Sequence, residues 1–429
     1  MISVYCVSLG CAKNRIDTEM ILASFPDSAR LVDSPEQADL ILINTCAFIA
    51  DAKKESIQTI LELSRYKGKV AVVGCLAERY YDEIKQEMPE IDCLIPIKDY
   101  GELQDYLSAL TGEKGFRKLD PLKRVLTTGE HSAYLRISDG CDNFCSFCAI
   151  PYIRGRFKSR PYGEIIEEAR ILRDSGVKEI SLISQDTTVY GRDFPSRKPD
   201  IVDLLKELDG MGFYSIRLLY LYPSEISDGL IDLIASSKSI AHYFDIPVQC
   251  ASDHLLHLMN RHGDAAQMRE LFAKIRRKCP DAVLRTTLIA GFPGENEEDQ
   301  KETIEFLKSI RFDHMGCFTY SREEGTAGYS LPDQIPEKLK RARRDELMKL
   351  QSHICYEINK SHVGQLLEGM VVGKRGKGVY EIRTYLNAPD DIDGSFTFSS
   401  PVDHKEGDIV KVRVTGALVY DLMGEEVLS

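Results

Sequence analysis

The run Cys141-Asp-Asn-Phe-Cys145-Ser-Phe-Cys148 packs three cysteines into eight residues, directly after the apolar stretch Ala133 to Ser138. Thiolates at this spacing converge on one point only where a metal centre collects them. A mononuclear zinc site asks for a fourth ligand of the same kind, and zinc ligands usually come as two separated C-x2-C knuckles; the chain offers neither at this place. Three thiolates suit a 4Fe-4S cluster instead. Such clusters take cysteine ligands, and the missing fourth ligand leaves one iron open to something else.

The pattern C-x3-C-x2-C, with an aromatic before the last cysteine, resembles the radical S-adenosylmethionine (SAM) signature. The resemblance implies that the amino and carboxylate groups of SAM chelate the open iron. One electron then splits the cofactor into methionine and a 5'-deoxyadenosyl radical. Phe147 matches the aromatic that sits beside the adenine.

At 429 residues, 43% of them hydrophobic, the chain is long enough for two or three domains with well-filled cores. Twelve cysteines behind the opening Met-Ile-Ser-Val-Tyr-Cys, which has no basic leader region, argue for reduced thiols and a cytoplasmic location rather than a secreted disulfide scaffold. No apolar run approaches the roughly 20 residues that span a bilayer, so no membrane segment is expected. A formal net charge of -12 weighs against a purely electrostatic grip on nucleic acid.

In the amino-terminal third, the apolar runs Ile2 to Leu9, Leu40 to Asn44 and Val70 to Val73 alternate with helical stretches such as Asp17 to Phe25 and Ala52 to Arg65. This pattern predicts a parallel α/β sheet. Each run ends in a cysteine, in Gly10-Cys11, Thr45-Cys46 and Gly74-Cys75. The carboxyl ends of parallel strands form the ligand crevice of such a sheet, so Cys11, Cys46 and Cys75 can meet there as a second three-thiolate site. Any one of them alone reads better as a small core residue at a strand terminus, and it is their position on all three strand ends that favours a site. Cys6, inside the first strand, reads as core. Lys13 and Asn14 either line the crevice or occupy a solvated loop.

From about residue 130 strand and helix alternate again, with strands near Tyr134-Ser138, Glu179-Ser184, Ile216-Leu221, Tyr243-Val248, Val283-Ala290 and Met315-Tyr320. Six such units fit a partial (β/α) barrel. Amphipathic helices fill the gaps over Gly163 to Asp174, Ile201 to Leu208 and Glu297 to Ile310. Barrel chemistry gathers at the carboxyl ends of the strands, where the sequence places its most polar or Gly-rich loops. Gln185 and Gln249 lie in two of these loops, as contacts to methionine or ribose or as ordinary barrel-mouth hydrogen bonding. Gly291 and Gly294 permit a tight turn against a nucleoside, although Gly-Phe-Pro-Gly is a simple turn in most proteins. Arg285, on the fifth strand, reads either as a fork for the SAM carboxylate or as half of an ion pair.

A charged helix from about Glu337 to Asn359 follows, and its Lys340, Arg341, Arg343 and Arg344 read as a solvated face. Then come short alternating strands, Leu366 to Gly373, Tyr380 to Thr384, Gly394 to Phe398, Ile409 to Thr415 and Leu418 to Leu422, suggesting a small five-stranded antiparallel barrel. From Gly364 to Ser429 seven Lys and Arg face eleven Asp and Glu, a net of -4. Such a barrel suits a basic partner better than phosphate, and Asp390, Asp391, Asp393, Glu425 and Glu426 are its acidic candidates.

Together these parts resemble the methylthiotransferase family of radical SAM enzymes over essentially the whole chain. The implied fold class is α/β multidomain: a parallel α/β domain with a three-cysteine cluster site over 1–125, a partial (β/α)6 radical SAM barrel over 126–358, and a small antiparallel β-barrel of the TRAM kind over 359–429. The family implies two 4Fe-4S clusters, with Cys141, Cys145 and Cys148 holding the SAM-cleaving one and Cys11, Cys46 and Cys75 holding the one that carries sulfur. Ser-Leu-Gly-Cys11-Ala-Lys-Asn, Ile-Ser-Asp-Gly-Cys141, Gln185-Asp-Thr-Thr-Val-Tyr-Gly191, Tyr-Phe-Asp-Ile-Pro-Val-Gln249 and Arg383-Thr-Tyr-Leu-Asn-Ala-Pro-Asp-Asp-Ile-Asp-Gly394 resemble the RimO type. That type adds a methylthio group to the β-carbon of an aspartate in small-subunit ribosomal protein S twelve. Cys250 stands where the family often has His. The implied partners are that ribosomal protein as substrate and an external electron donor, with no membrane and no direct tRNA binding. The competing readings are a tRNA adenosine methylthiotransferase, which a basic tail would favour, and a non-catalytic iron-sulfur electron carrier, which needs neither an open iron nor a polar barrel mouth.

Overall fold

The computed structural model describes residues 2–390 and 392–428; Asp391 lies outside them. The chain folds into two compact units. One is built from the residues up to 127 together with 138–168 and 321–329, the other from 128–137, 169–320 and the chain from 330 onward. The cysteine run thus belongs with the amino-terminal sheet rather than with the six strands among which its sequence lies.

In the first unit β1 (Ser3–Ser8), β2 (Arg30–Leu31), β3 (Leu40–Thr45), β4 (Lys69–Gly74) and β5 (Cys93–Ile95) form one parallel sheet in the order β2-β1-β3-β4-β5. The sequence announced three of these strands. The two it missed are edge strands of two and three residues, too short to carry a period. Central β3 is buried at every position, as expected of a parallel strand covered on both faces. The helices Ala12–Ala23 and Ala50–Leu63 pack beside it. Register brings the strand ends level, with Ser8 opposite Asn44, Asn44 opposite Val73 and Thr45 opposite Gly74. A short antiparallel pair, β7 (Ser138–Asp139) with β8 (Lys158–Ser159), brackets the cysteine run.

In the second unit β6 (Ser132–Arg136), β9 (Glu179–Ile183) and β10 (Ser215–Leu218) form one parallel sheet, and β11 (Tyr243–Asp245), β12 (Val283–Ala290) and β13 (His314–Thr319) another. A parallel bridge between Ile216 and Ile240, and a bond from Leu221 N–H to the Asp245 carbonyl at 2.8 Å, join the two sheets into the expected row of six strands. Helix Glu297–Ile310 occurs where its period placed it. Asn296 caps it, accepting from the N–H groups of Glu298 and Asp299, and three acidic residues fill its first turn against the helix dipole.

The tail closes as a barrel of β14 (Leu366–Gly376), β15 (Val379–Arg383), β16 (Phe396–Ser399), β17 (Ile409–Ala417) and β18 (Leu422–Glu426), in the order β14-β15-β16-β18-β17. Burial alternates along β17, with Val410, Val412 and Val414 inside. Two expectations need correction. β16 and β18 run parallel, so the barrel is not wholly antiparallel. The last strand begins four residues late, because Leu418 N–H bonds the Asp421 carbonyl and spends Leu418 to Asp421 on the turn.

The tail docks at the amino ends of the barrel strands. Arg217, fully buried, donates to the carbonyls of Thr384 at 2.9 Å and Tyr385 at 3.3 Å. Arg383 pairs with Glu179 at 2.6 Å, and His314 Nε2 meets the Leu386 carbonyl at 2.7 Å. Of the long helix Glu337–Ser361, only part of the basic run is solvated. Lys340 donates to the Tyr320 carbonyl at 2.8 Å and Arg343 pairs with Glu295 at 3.2 Å, both buried, whereas Arg341 and Arg344 stay outside with Glu337 and Asp345.

Candidate functional site

The level strand ends of the first unit deliver Cys11, Cys46 and Cys75 to one crevice. Gly10 and Gly74 make the approach possible. Both have positive φ, and a Cβ on Gly10 would stand 2.8 Å from Cys46 Cβ, while one on Gly74 would collide with Asn44 Oδ1 and stand 2.7 Å from the Thr45 carbonyl. Cys46 and Cys75 are buried and Cys11 is exposed, so the crevice opens on the Cys11 side. The thiols lie close enough that Cys11 disfavours ionisation of Cys46, and Cys46 and Cys11 both disfavour that of Cys75. Burial pushes Cys46 upward and Cys75 to about 12, with Arg154 pulling the latter back. Thiols of this kind become thiolates when a metal centre takes them, so the donor set fits an iron-sulfur cluster with three protein ligands.

Asn14 organises the floor of this crevice. Its Nδ2 donates to the carbonyls of Leu9 at 3.0 Å and Thr45 at 2.9 Å, and its own carbonyl accepts from Asn44 Nδ2 at 2.8 Å. One side chain thereby ties together the loops that carry Cys11 and Cys46. Its Oδ1 accepts from Cys75 Sγ at 3.4 Å and from Arg154 Nη2 at 2.7 Å. Lys13 is buried as well, which sets aside the solvated-loop reading for both residues.

Segment 321–329 clamps the loop after Cys46. Arg79 donates to the Ala47 carbonyl and to Glu323, both at 2.8 Å, and to the Glu324 carbonyl at 2.7 Å.

Cys141 N–H bonds the Gly155 carbonyl at 3.2 Å, tying the start of the run to the loop that follows it, and within the run Cys148 N–H bonds the Cys145 carbonyl at 2.9 Å, a tight turn between these two cysteines. Cys141, Cys145, Cys148 and Phe147 are all partly exposed, which leaves the three thiols and the ring accessible. Phe144 adopts a positive φ of 46° with its ring against Tyr152 and Arg156.

In the second unit Gln185, Gln249, Gly291 and Gly294 all lie at or beyond the carboxyl ends of their strands. Gln249 has φ 71°, held there because its N–H bonds the Thr287 carbonyl at 2.9 Å while its carbonyl accepts from Ile289 at 2.8 Å. A non-glycine residue kept in the left-handed region by two ladder bonds is a common mark of a functional position. Gly291 and Gly294 also have positive φ, but a Cβ on them would meet Lys340 and Leu258, so the tightness of this turn is towards the protein's own atoms.

Arg285 is not a fork for a cofactor carboxylate. It sits three residues into β12, near the strand's amino end, and is held by Asp245 at 2.8 Å and Asp393 at 3.0 Å. The ion-pair reading is the one the fold realises. Asp393 is therefore interior, as is Glu426, whose carboxylate meets His404 at 2.9 Å, so neither belongs to an acidic docking face. Asp390 is exposed but bonds the Tyr134 hydroxyl at 2.6 Å. Cys250 is buried, with its thiol pushed up to about 12 by that burial.

Arg154, Asp17 and Arg79 were not singled out in the sequence. The only signal for Arg154 was its place six residues after Cys148, in Pro-Tyr-Ile-Arg-Gly.

Comparison with known proteins divides the chain in three. Residues 3–96 match Uncharacterized protein family UPF0004, 135–307 the Radical SAM superfamily and 363–427 the TRAM domain. Curated relatives named "Ribosomal protein uS12 methylthiotransferase RimO" are similar at full length. That of Clostridium kluyveri is 44% identical over 99% of this chain and 98% of its own, and that of Pelotomaculum thermopropionicum 45% identical over 100% of both. The relative from Aquifex aeolicus is 44% identical over 98% and 96%. Among solved structures, the radical S-adenosylmethionine methyltransferase TsrM from Kitasatospora setae superposes with TM-score 0.54 at 13% identity, covering 88% of this chain and 80% of TsrM. That likeness speaks to the fold alone. With its three domains in this order and its near-complete likeness to these relatives, the chain belongs to the RimO family of radical SAM methylthiotransferases.

Proposed function

We propose that the protein adds a methylthio group to the β-carbon of an aspartate in ribosomal protein uS12, using SAM and two 4Fe-4S clusters. The observation that carries the two-cluster reading is the crevice at the level ends of β1, β3 and β4, which gathers three thiols far along the chain from the C-x3-C-x2-C run. When bound, the clusters and SAM supply reductive cleavage of the cofactor and a carrier for the sulfur.

The chain's own residues have separable tasks. Cys141, Cys145 and Cys148 would hold the cleaving cluster, and Phe147 is the aromatic that would serve the adenine. Cys11, Cys46 and Cys75 would hold the sulfur-carrying one. Gln185 and Gln249 serve as polar contacts to SAM; Arg285 is withdrawn from that set because its guanidinium is already committed. An external donor supplies electrons. The tail, with its net charge of -4, favours a basic protein over tRNA.

Mass spectrometry of ribosomal proteins and of hydrolysed tRNA, from cells with and without the gene, tests the substrate. The expected difference is loss of a methylthio group from one uS12 aspartate. An unchanged aspartate together with a missing methylthio adenosine in tRNA would reassign the enzyme to the tRNA reaction.

A further inference from the structure

Arg154 leaves the short helix Ile150–Ile153 and enters the strand-end crevice, although it belongs to the loop of the other cysteine set. Its side chain is 2% exposed. Nη2 lies 2.7 Å from Asp17 Oδ2, 2.7 Å from Asn14 Oδ1 and 3.8 Å from Cys75 Sγ, and Nη1 lies 3.4 Å from Asp139. A buried guanidinium has five N–H donors to satisfy. Here it also shares an acceptor, Asn14 Oδ1, with the thiol of Cys75.

That shared acceptor has a consequence once a metal takes Cys75. As a thiol, Cys75 donates to Asn14. As a thiolate it has no proton to donate and becomes an acceptor, and Arg154 Nη2 is the cationic donor already beside it. Three thiolates leave a four-iron cluster anionic, and an anionic sulfur on its open iron would add to that charge. A fixed cation at the sulfur offsets both, and hydrogen bonds to cluster sulfurs are among the factors that set a cluster's potential.

We propose that Arg154 is a positioning residue for the strand-end cluster, donating to the Cys75 sulfur and holding positive charge against the three thiolates, so that the loop of one cysteine set tunes the centre held by the other. This rests on the reading of Cys11, Cys46 and Cys75 as a cluster site.

The test uses the full-length chain carrying C141A, C145A and C148A, so that only the strand-end centre remains. Iron content comes first: a reconstituted chain with no iron means that the cluster reading itself fails, and the proposal with it, whatever Arg154 does. With about four irons present, Arg154→Gln and Arg154→Met are compared with the parent by redox titration. Both are expected to keep the irons and to be about tenfold harder to reduce, about 59 mV for a one-electron couple, and Arg154→Lys is expected to recover part of the shift. An unchanged midpoint in the neutral variants overturns the proposal. So does loss of the strand-end irons from both, with the four at Cys141, Cys145 and Cys148 kept in the otherwise native chain, because Arg154 would then be only a structural strut.

Discussion

Arg285 and Asp393 meet at 3.0 Å, pinning the fifth barrel strand to the turn that precedes β16. Tyr243 donates its hydroxyl to the other oxygen of the same carboxylate, and Ala388 N–H donates to it at 2.8 Å. Burial alone would raise the Asp393 carboxyl, but His314, Arg285 and the hydrogen bonds from Tyr243 and Ala388 together outweigh it and hold the group below the ordinary range. Removing one partner of a buried pair leaves an uncompensated charge, at a cost of about 3–5 kcal/mol. Asp393→Ala should therefore lower the unfolding midpoint of the second unit markedly in calorimetry. A carboxyl depressed on folding contributes stability that is present above its unfolded pKa of about 3.9 and is lost as pH falls through the folded value. Asp393→Asn should accordingly flatten the loss of stability below about pH 4; an acid limb as steep as the parent's would refute this.

Gly74 stands where no other residue fits. Its φ of 94°, and the Thr45 carbonyl only 2.7 Å from where a methyl group would sit, set both strain and clash against alanine. Gly74→Ala should cost about 1–3 kcal/mol from backbone strain alone. It should also displace Cys75, lowering iron at the strand-end site while reductive cleavage of SAM continues. Full iron with normal product would show that the crevice tolerates the shift.

The two cysteine sites separate by their products. Replacing any one of Cys141, Cys145 or Cys148 with Ala should remove about four irons and all 5'-deoxyadenosine release. Replacing Cys11, Cys46 and Cys75 together should spare that release and stop methylthio transfer. A triple variant with full iron and product would return the strand-end cysteines to the core.

The cysteines, the central strands and the helices were legible because spacing and period record them locally. Glu297–Ile310 was placed to the residue by its apolar face alone, and the Asn296 cap and acidic first turn in the structure hold the same start. The ion pairs left no such trace. Arg285 and Asp393 are 108 positions apart, and Arg154 and Asn14 140 apart, so no window of sequence shows that they meet. The same reason explains why Lys340 and Arg343 looked solvated: their acceptors, Tyr320 and Glu295, come from other elements. Asp393 looked like a docking residue because composition registers charge without its partner.

Arg79 and Glu323 are both nearly inaccessible, with side chains 8% and 3% exposed. Arg79→Met should leave Glu323 buried and unpaired, at a cost of about 3–5 kcal/mol. Hydrogen exchange should rise in residues 321–329 and in the loop after Cys46, while the helix Ala12–Ala23 stays protected. Uniform exchange across the first unit would mean that Arg79 is not a local clamp.

Substrate recognition is testable on the tail's outer charges, because deleting the chain after Val363 would also strip the carbonyl acceptors of Arg217 and one of the two carboxylates that hold Arg285. Glu406, with a side chain 57% exposed, and Glu425 are exposed acids of this barrel. Ribosomal proteins are basic because they bind RNA, and complementary charge chiefly raises the rate of encounter. Glu406→Lys combined with Glu425→Lys should slow methylthiolation of uS12 several-fold at low ionic strength. The difference should shrink as salt shortens the Debye length from about 30 Å at 0.01 M to about 8 Å at 0.15 M. Release of 5'-deoxyadenosine without substrate should not change. A rate on uS12 indifferent to the two reversals at every salt concentration would remove the tail's acidic face from recognition.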